Sequence, residues 1–235
     1  MELDLTQASV GDLANFYSVS DTQKNWVRAN MVMSKDGHFV DETGSSKGLS
    51  NPLDLKVLLT LRALADAILV GANTVRIEDY KVPKLAGDYQ ALNSKAAKLV
   101  VVSNSLNFDL SSRMFSDLEN QPIIVTSASA NEVWLANKSK LEGHAKLLIW
   151  NGPIDFKELI GQLNAMGLHR IVCEGGEQLL TQLLDLDLID ELDITFANLA
   201  LGQSAPQSKL TKAIANWPNR LTAKLGSDHV ARIKR

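Results

Sequence analysis

Two glycines separate an apolar run from an amphipathic one in HRIVCEGGEQLLTQLLDL, residues 169–186. Gly175 and Gly176 permit backbone torsions and a closeness of approach that a Cβ forbids. A helix beginning there offers free N–H groups and the positive end of its dipole to a phosphate. GANTVRIEDY, residues 71–80, has similar ingredients: Gly71 closes an apolar run and the Thr74 hydroxyl adds a donor. Taken singly, each turn favours a mere tight connection, because short glycine motifs recur by chance. Ligands of open α/β sheets bind where strands end and helix N-termini converge. The residues after each apolar run are therefore candidates: Ser34, Lys35, Asp36 and Gly37; Glu78 and Asp79 beyond Thr74; Ser103 and Asn104; and Glu174.

Other chemistries are excluded. No G-x-G-x-x-G follows a strand and no G-x-x-x-x-G-K-[ST] occurs, so a dinucleotide must be held in another way. His38, His144, His169 and His229 lack metal-ligand spacing, and no metal is expected. Cys173 lies inside an apolar run, where a buried inert thiol outweighs a nucleophile. Being the single cysteine, it permits no internal disulfide and suits a reducing compartment. No G-x-S-x-G elbow is present. Net charge is −3 with lysines and arginines scattered, which argues against a nucleic-acid partner. Apolar runs fall far short of a membrane span and no signal peptide is evident, so the expectation is a soluble cytoplasmic protein without a membrane partner.

The elements that must position these residues are legible as apolar runs. Residues 26–33 (WVRANMVM) read as a buried strand, followed by a long Gly- and Ser-rich loop from Ser34 to Gly48. A loop of that length in a compact domain is usually functional or mobile. Asn51-Pro52 opens a helix, as an N-cap followed by proline at the first helical position. Strands are predicted over 66–71, 98–103, 121–126, 145–150 and 188–197, with GANTVRIEDY as a loop. A helix is predicted over 155–166, and a hairpin over 220–225 and 229–234. Strands alternating with helices imply a largely parallel sheet covered on both faces. One domain is expected from residue 26 to 235, with 1–25 as a variable extension that has the makings of a short helix over 2–17.

In order along the chain, RANMVMSKDG (28–37), GLSNPLD (48–54), LRALADAILVGANTVRIEDY (61–80), VVVS (100–103), CEGGEQLL (173–180) and LIDELDITFANLALG (188–202) resemble the pyrimidine reductase of riboflavin biosynthesis, the reductase half of the bifunctional deaminase–reductase. The resemblance runs from about Trp26 to the C-terminus. It implies a dihydrofolate-reductase-like α/β fold, NADPH as hydride donor, a ribosylamino-pyrimidine phosphate as substrate and a homodimer. It also implies roles. Met33 lies where the first strand meets the nicotinamide. Gly71, Thr74 and Glu78 match cofactor-contacting positions, and Ser103 and Asn104 match the adenosine end. Gly175, Gly176, Glu177, Gln178 and Leu179 match the pyrophosphate loop. Ser46, Arg62 and Glu174 match substrate contacts, and Asp36 belongs to the S-x-D-G signature, at the substrate, ordering the loop over it, or equally as a plain turn-forming Asp-Gly.

The deaminase half should carry H-x-E and P-C-x-x-C signatures. Neither is present, so a stand-alone reductase domain is expected. The chain departs from bifunctional members at Gly48, where they commonly carry Trp, and at Glu78-Asp79-Tyr80, where they carry Asp-Asp-Pro. Where they place an arginine for the substrate phosphate, this chain has KVPKLAG, so Lys81 or Lys84 must substitute, supplying a point charge rather than a fork. Glu174 and Glu78 are the candidate proton donors or relay partners, with water as the alternative. Glu174 is equally a candidate helix cap. Selection for a 2′-phosphate calls for a cation or a hydroxyl cluster near Ser103, with Arg113 as candidate. Two rival readings stay open: a reductase of a pterin such as dihydrofolate, and a catalytically silent dinucleotide-binding protein.

Overall fold

The computed structural model describes residues 3–20, 22–202 and 208–235. Its chain opens with strand β1 (Leu3–Asp4), helix α1 (Val10–Phe16), β2 (Trp26–Met33) and α2 (Pro52–Ala63). Next come β3 (Ala67–Gly71), α3 (Ala72–Glu78), β4 (Lys98–Val102), β5 (Ile123–Ser127), α4 (Glu132–Lys140) and β6 (Lys146–Trp150). Helix α5 (Phe156–Ala165), β7 (Arg170–Cys173), α6 (Glu177–Asp185) and β8 (Glu191–Phe196) follow. The chain finishes with α7 (Lys209–Asn216), β9 (Asn219–Leu225) and β10 (Asp228–Lys234).

All described strands join one sheet, in the order β1-β9-β10-β8-β2-β7-β3-β4-β5-β6. From β8 through β6 every neighbour is parallel, and β10 pairs antiparallel with both β8 and β9. Strand alternation divides the core in two. Ile68, Val70, Val101 and Val172 face α1, α2 and α3 through Leu13, Val57, Leu61 and Val75. Leu69, Val100, Ile171 and Cys173 face α5, α6 and α7 through Leu159, Leu183 and Ile214. This is the helix-flanked, mostly parallel sheet with C-terminal antiparallel strands that the resemblance implied. No helix among the described residues is long and apolar enough to cross a membrane.

Two segments differ from expectation. GANTVRIEDY forms α3 directly from the end of β3, because Ala72 and Val75 bury themselves one helical step apart, and left-handed Asp79 (φ 52°) then stops it. Residues 3–17 are built into the fold: β1 runs parallel to β9 in the register Leu3↔Ala223, and α1, begun by a Ser9–Asp12 capping box, buries Leu13 and Phe16.

Charges are buried in the middle of the sheet. Arg232 on β10 donates through Nε and Nη2 to the Glu191 carboxylate at 2.8 and 2.9 Å. Arg28 on β2 donates to Asp193 Oδ2 at 3.2 Å and to the Tyr17 carbonyl at 3.0 Å. A cavity of about 180 Å³, lined by Tyr17, Trp26, Arg28 and Arg170 among others, lies at the amino ends of β2 and β7. That is the opposite end of these strands from the glycine turns.

Cys173 is fully buried on β7, and desolvation pushes its thiol up to about 12. A thiol in the unfolded chain ionises near 8.5. The folded state therefore holds the proton where the unfolded state loses it, so this contribution is whole below about pH 8.5 and is lost as pH rises toward 12. The native protein is expected to resist a thiol reagent at pH 8 and to react stoichiometrically in denaturant. Rapid labelling of the native chain would contradict the buried position.

Candidate active site at the carboxyl ends of the strands

Parallel strands β3 and β7 are hydrogen-bonded neighbours, so the segments that leave their carboxyl ends start side by side. Leu69 receives the Glu174 amide and Gly71 donates its amide to the Gly175 carbonyl at 3.1 Å. Gly175 (φ 91°) and Gly176 (φ 72°) both adopt left-handed torsions, which glycine reaches without a Cβ clash. A Cβ on Gly176 would stand 3.4 Å from Gly71 Cα and 3.6 Å from Thr74 Oγ1, and one on Gly71 would stand 3.6 Å from Gly176 Cα. The glycines therefore let two backbones touch. Met31 on β2 floors the turn, its Sδ 3.3 Å from where a Gly175 Cβ would sit.

Helices α1, α2, α4, α5 and α7 are each capped by a side chain: Ser9, Asn51, Asn131, Asp155 and Ser208. Helices α3 and α6 begin at Gly71 and Gly176 with no side-chain cap. Their first-turn amides, including those of Glu177, Gln178 and Leu179, thus lack the acceptor that the other helices supply from within. Glu177 and Gln178 are exposed and Leu179 is anchored in the core. An uncapped pair of N-termini meeting at bare glycine suits a diphosphate by its free amides and by dipole. The dinucleotide that the resemblance implies therefore suits the residues present.

Glu174, next to this turn, is saturated with donors. Arg62 on α2 donates through Nε to Oε1 and through Nη2 to Oε2, each at 2.6 Å, and the Tyr80 hydroxyl donates to Oε2 at 2.6 Å. The Arg62 guanidinium also lies over the Tyr80 ring, 5.1 Å from its centroid. Burial alone would lower the arginine's pKa, but the Glu174 charge and its hydrogen bonds raise it. Arg62 is therefore a permanent cation. Its side chain keeps 27% exposure while that of Glu174 keeps 4%, so the pair shows its cationic end. Glu174 does not act as a side-chain cap for α6.

Loop 34–50 is pinned at two places. Asp36 accepts from the Ser34 hydroxyl at 2.6 Å and from the Leu201 and Gly202 amides at 2.8 and 2.7 Å. The Ser34 hydroxyl, aided by those amides, holds its carboxyl well below the usual carboxylate range. Asp36 thus fastens one loop to another. Farther along, Glu78 Oε1 accepts from the Ser46 amide at 2.7 Å and from the Ser45 and Ser46 hydroxyls at 3.0 and 3.2 Å. Lys47 Nζ lies 3.5 Å from Glu78 Oε2. The carboxylate of Glu78 therefore faces the loop. A Cβ on Gly48 would run into the Asp41 side chain, so a tryptophan does not fit this loop as it is folded.

Ser46 and Glu78 are thus brought together, as are Arg62 with Glu174 and Gly71 and Thr74 with Gly176. Met33, half-buried, ends β2 and receives the Ala197 amide on its carbonyl. The buried Ser103 accepts the Leu106 amide on its Oγ, and Asn104 is exposed beside it. Arg113 is not paired with Ser103: it bonds the Asp79 carboxylate and carbonyl at the end of α3. Lys81 and Lys84 are exposed. Tyr80, Met31, Ser45 and Lys47 carry contacts that the sequence reading did not assign. Tyr80 had a signal, since it stands where the bifunctional pattern has proline.

The RibD C-terminal domain family model matches residues 25–228. A 2,5-diamino-6-ribosylamino-4(3H)-pyrimidinone 5′-phosphate reductase from Methanothermobacter thermautotrophicus is 30% identical over 75% of this chain and 79% of its own. The protein of that name from Archaeoglobus fulgidus is 27% identical over 75% and 82%. The chain spans about half (51%) of the riboflavin biosynthesis protein RibD of Aquifex aeolicus, at 26% identity over 80% of its own length. Among solved structures, a pyrimidine reductase-like protein from Corynebacterium diphtheriae superposes with a TM-score of 0.81 at 25% identity, over 94% of this chain and 98% of that one. The yeast riboflavin biosynthesis reductase Rib7 shares the fold, with a TM-score of 0.66 at 19% identity over 94% of both chains. The match over most of the length, on a glycine cradle and an Arg62–Glu174 pair carried by the expected segments, means that the chain belongs to the RibD C-terminal domain family.

Proposed function

We propose that this protein reduces a ribosylamino-pyrimidine 5′-phosphate with NADPH, as a step of riboflavin biosynthesis. The observation that carries the reading is the pair of uncapped helix N-termini meeting at Gly71 and Gly176, two residues from Glu174 of the Arg62–Glu174 ion pair. The first-turn amides of α3 and α6 and the Thr74 hydroxyl hold the diphosphate. Met31 and Met33 line the strand end against which the nicotinamide rests, and Ser103 and Asn104 lie at the adenosine end. When bound, the cofactor supplies the hydride. Arg62 and Ser46 orient the anionic substrate under loop 34–50. Holding donor and acceptor in near-attack geometry lowers the barrier by about 7–11 kcal/mol.

Glu174 and Glu78 accept hydrogen bonds from arginine, tyrosine and serine donors. Their work is to hold Arg62 and the loop, and the proton that follows the hydride comes from water. The working form is a cytoplasmic homodimer, to be checked by light scattering.

The test is NADPH oxidation at 340 nm with the ribosylamino-pyrimidine phosphate and, separately, with dihydrofolate. Turnover of the ribotide supports the reading. Turnover of dihydrofolate alone, or dinucleotide binding without turnover of either, overturns it. NADPH should bind about 100-fold more tightly than NADH, some 2.7 kcal/mol. Equal dissociation constants would remove the 2′-phosphate preference.

A further inference from the structure

We propose that Tyr80 is a positioning residue that clamps the Arg62 guanidinium in a fixed plane for the substrate, an inference that rests on the reductase reading for the identity of that substrate. Tyr80 touches both members of the pair. Its hydroxyl is the third donor on Glu174, at 2.6 Å, and its ring lies under the guanidinium that supplies the other two. The two bonds from Arg62 align the guanidinium with the Glu174 carboxylate, so the plane of the pair is only as fixed as that carboxylate is. The Tyr80 hydroxyl holds the carboxylate by a third bond, and the ring, centred 5.1 Å from the guanidinium carbon, attracts the cation from one face.

The backbone aims the tyrosine. Asp79 leaves α3 in a left-handed turn, and the Tyr80 amide returns to the Val75 carbonyl at 3.1 Å. A proline at this position has no amide to make that bond. The family's Asp-Asp-Pro pattern thus gives way here to a residue that adds both the return bond and the clamp. Burial, and then the Glu174 charge, push the phenol well above its ordinary value, so it stays a donor at working pH. Arg62, so held, keeps part of its surface exposed while Glu174 has almost none. The clamp therefore serves recognition of an anionic or carbonyl-rich substrate rather than proton transfer.

Tyr80→Phe keeps the ring and removes the hydroxyl, and Tyr80→Leu removes both. With Tyr80→Phe, KM for the ribosylamino-pyrimidine phosphate should rise about tenfold, as for one hydrogen bond to a charged group, with kcat and the NADPH dissociation constant within about twofold. Tyr80→Leu should raise KM further. Unchanged KM in both variants overturns the clamp. So does a common fall in kcat, NADPH affinity and melting temperature, which marks a merely structural tyrosine.

A second readout needs no turnover. The Arg62 Nε–H signal in ¹⁵N NMR, assigned by its loss in Arg62→Lys, should be protected from exchange in the parent and exchange about tenfold faster in Tyr80→Phe. Absence of ribotide turnover by the parent protein would defeat the reductase reading alone. Equal exchange in parent and variant would defeat the clamp alone.

Discussion

Gly176→Val should cost at least about 100-fold in NADPH affinity, equivalent to 2.7 kcal/mol or more, in a fluorescence titration. Three effects add. The residue sits at φ 72°, where a β-branched side chain is strained by roughly 1–3 kcal/mol. Its Cβ would already touch Gly71 Cα at 3.4 Å and Thr74 Oγ1 at 3.6 Å, leaving no slack for the two methyl groups beyond it where α3 and α6 begin. Its methyl groups would also occupy the space in front of the uncapped amides. Gly161→Ala, inside α5 with nothing within 4 Å of its Cβ, is the control and should leave affinity unchanged. If Gly176→Val binds NADPH within about threefold of the parent, the glycine turn is not the phosphate cradle.

Glu191→Leu should remove about 3–5 kcal/mol of stability in urea denaturation, a large share of what a domain has. Glu191 is the acceptor for two donors of Arg232 and lies 3.8 Å from Arg28 Nη1. Without it, two buried guanidiniums are left with Asp193, whose own carboxyl is pushed up by burial. Burial would also raise Glu191, but the Arg232 hydrogen bonds, with Arg28 beyond, hold its carboxyl below the usual value. Its folded pKa is thus depressed, so this stabilisation is present above about pH 4.3 and is lost as pH falls below it. The acid limb of the stability curve should flatten in the variant. A loss under about 1 kcal/mol would show that the cluster is not held by this carboxylate.

The parallel strands β2 to β5 were legible because each is a short apolar run. WVRANMVM was read to its observed ends, and Asn51 does cap α2 as its type and place suggested. Helix α3 was not, since its seven residues give barely two turns of pattern and begin with no capping side chain. Strand β1 has two residues and takes its identity wholly from β9. The glycine turns were visible as composition, but that they touch each other is a consequence of β3 pairing with β7. Likewise Glu174 was singled out by position, while its bonds to Arg62 and Tyr80, 112 and 94 residues away, belong to the tertiary fold. Side-chain identity marks a residue as able to act. What occupies its lone pairs is decided elsewhere in the chain.

The order of the strands has a consequence for how the protein is made. β2 ends at Met33, yet its two neighbours, β7 and β8, start only at Arg170 and Glu191, and β1 pairs with β9 beyond residue 218. These pairings close distant segments of the chain on one another, which slows folding and leaves apolar edges open to aggregation meanwhile. The sheet is closed by β10, so deleting residues 228–234 takes away the strand that joins β8 to β9.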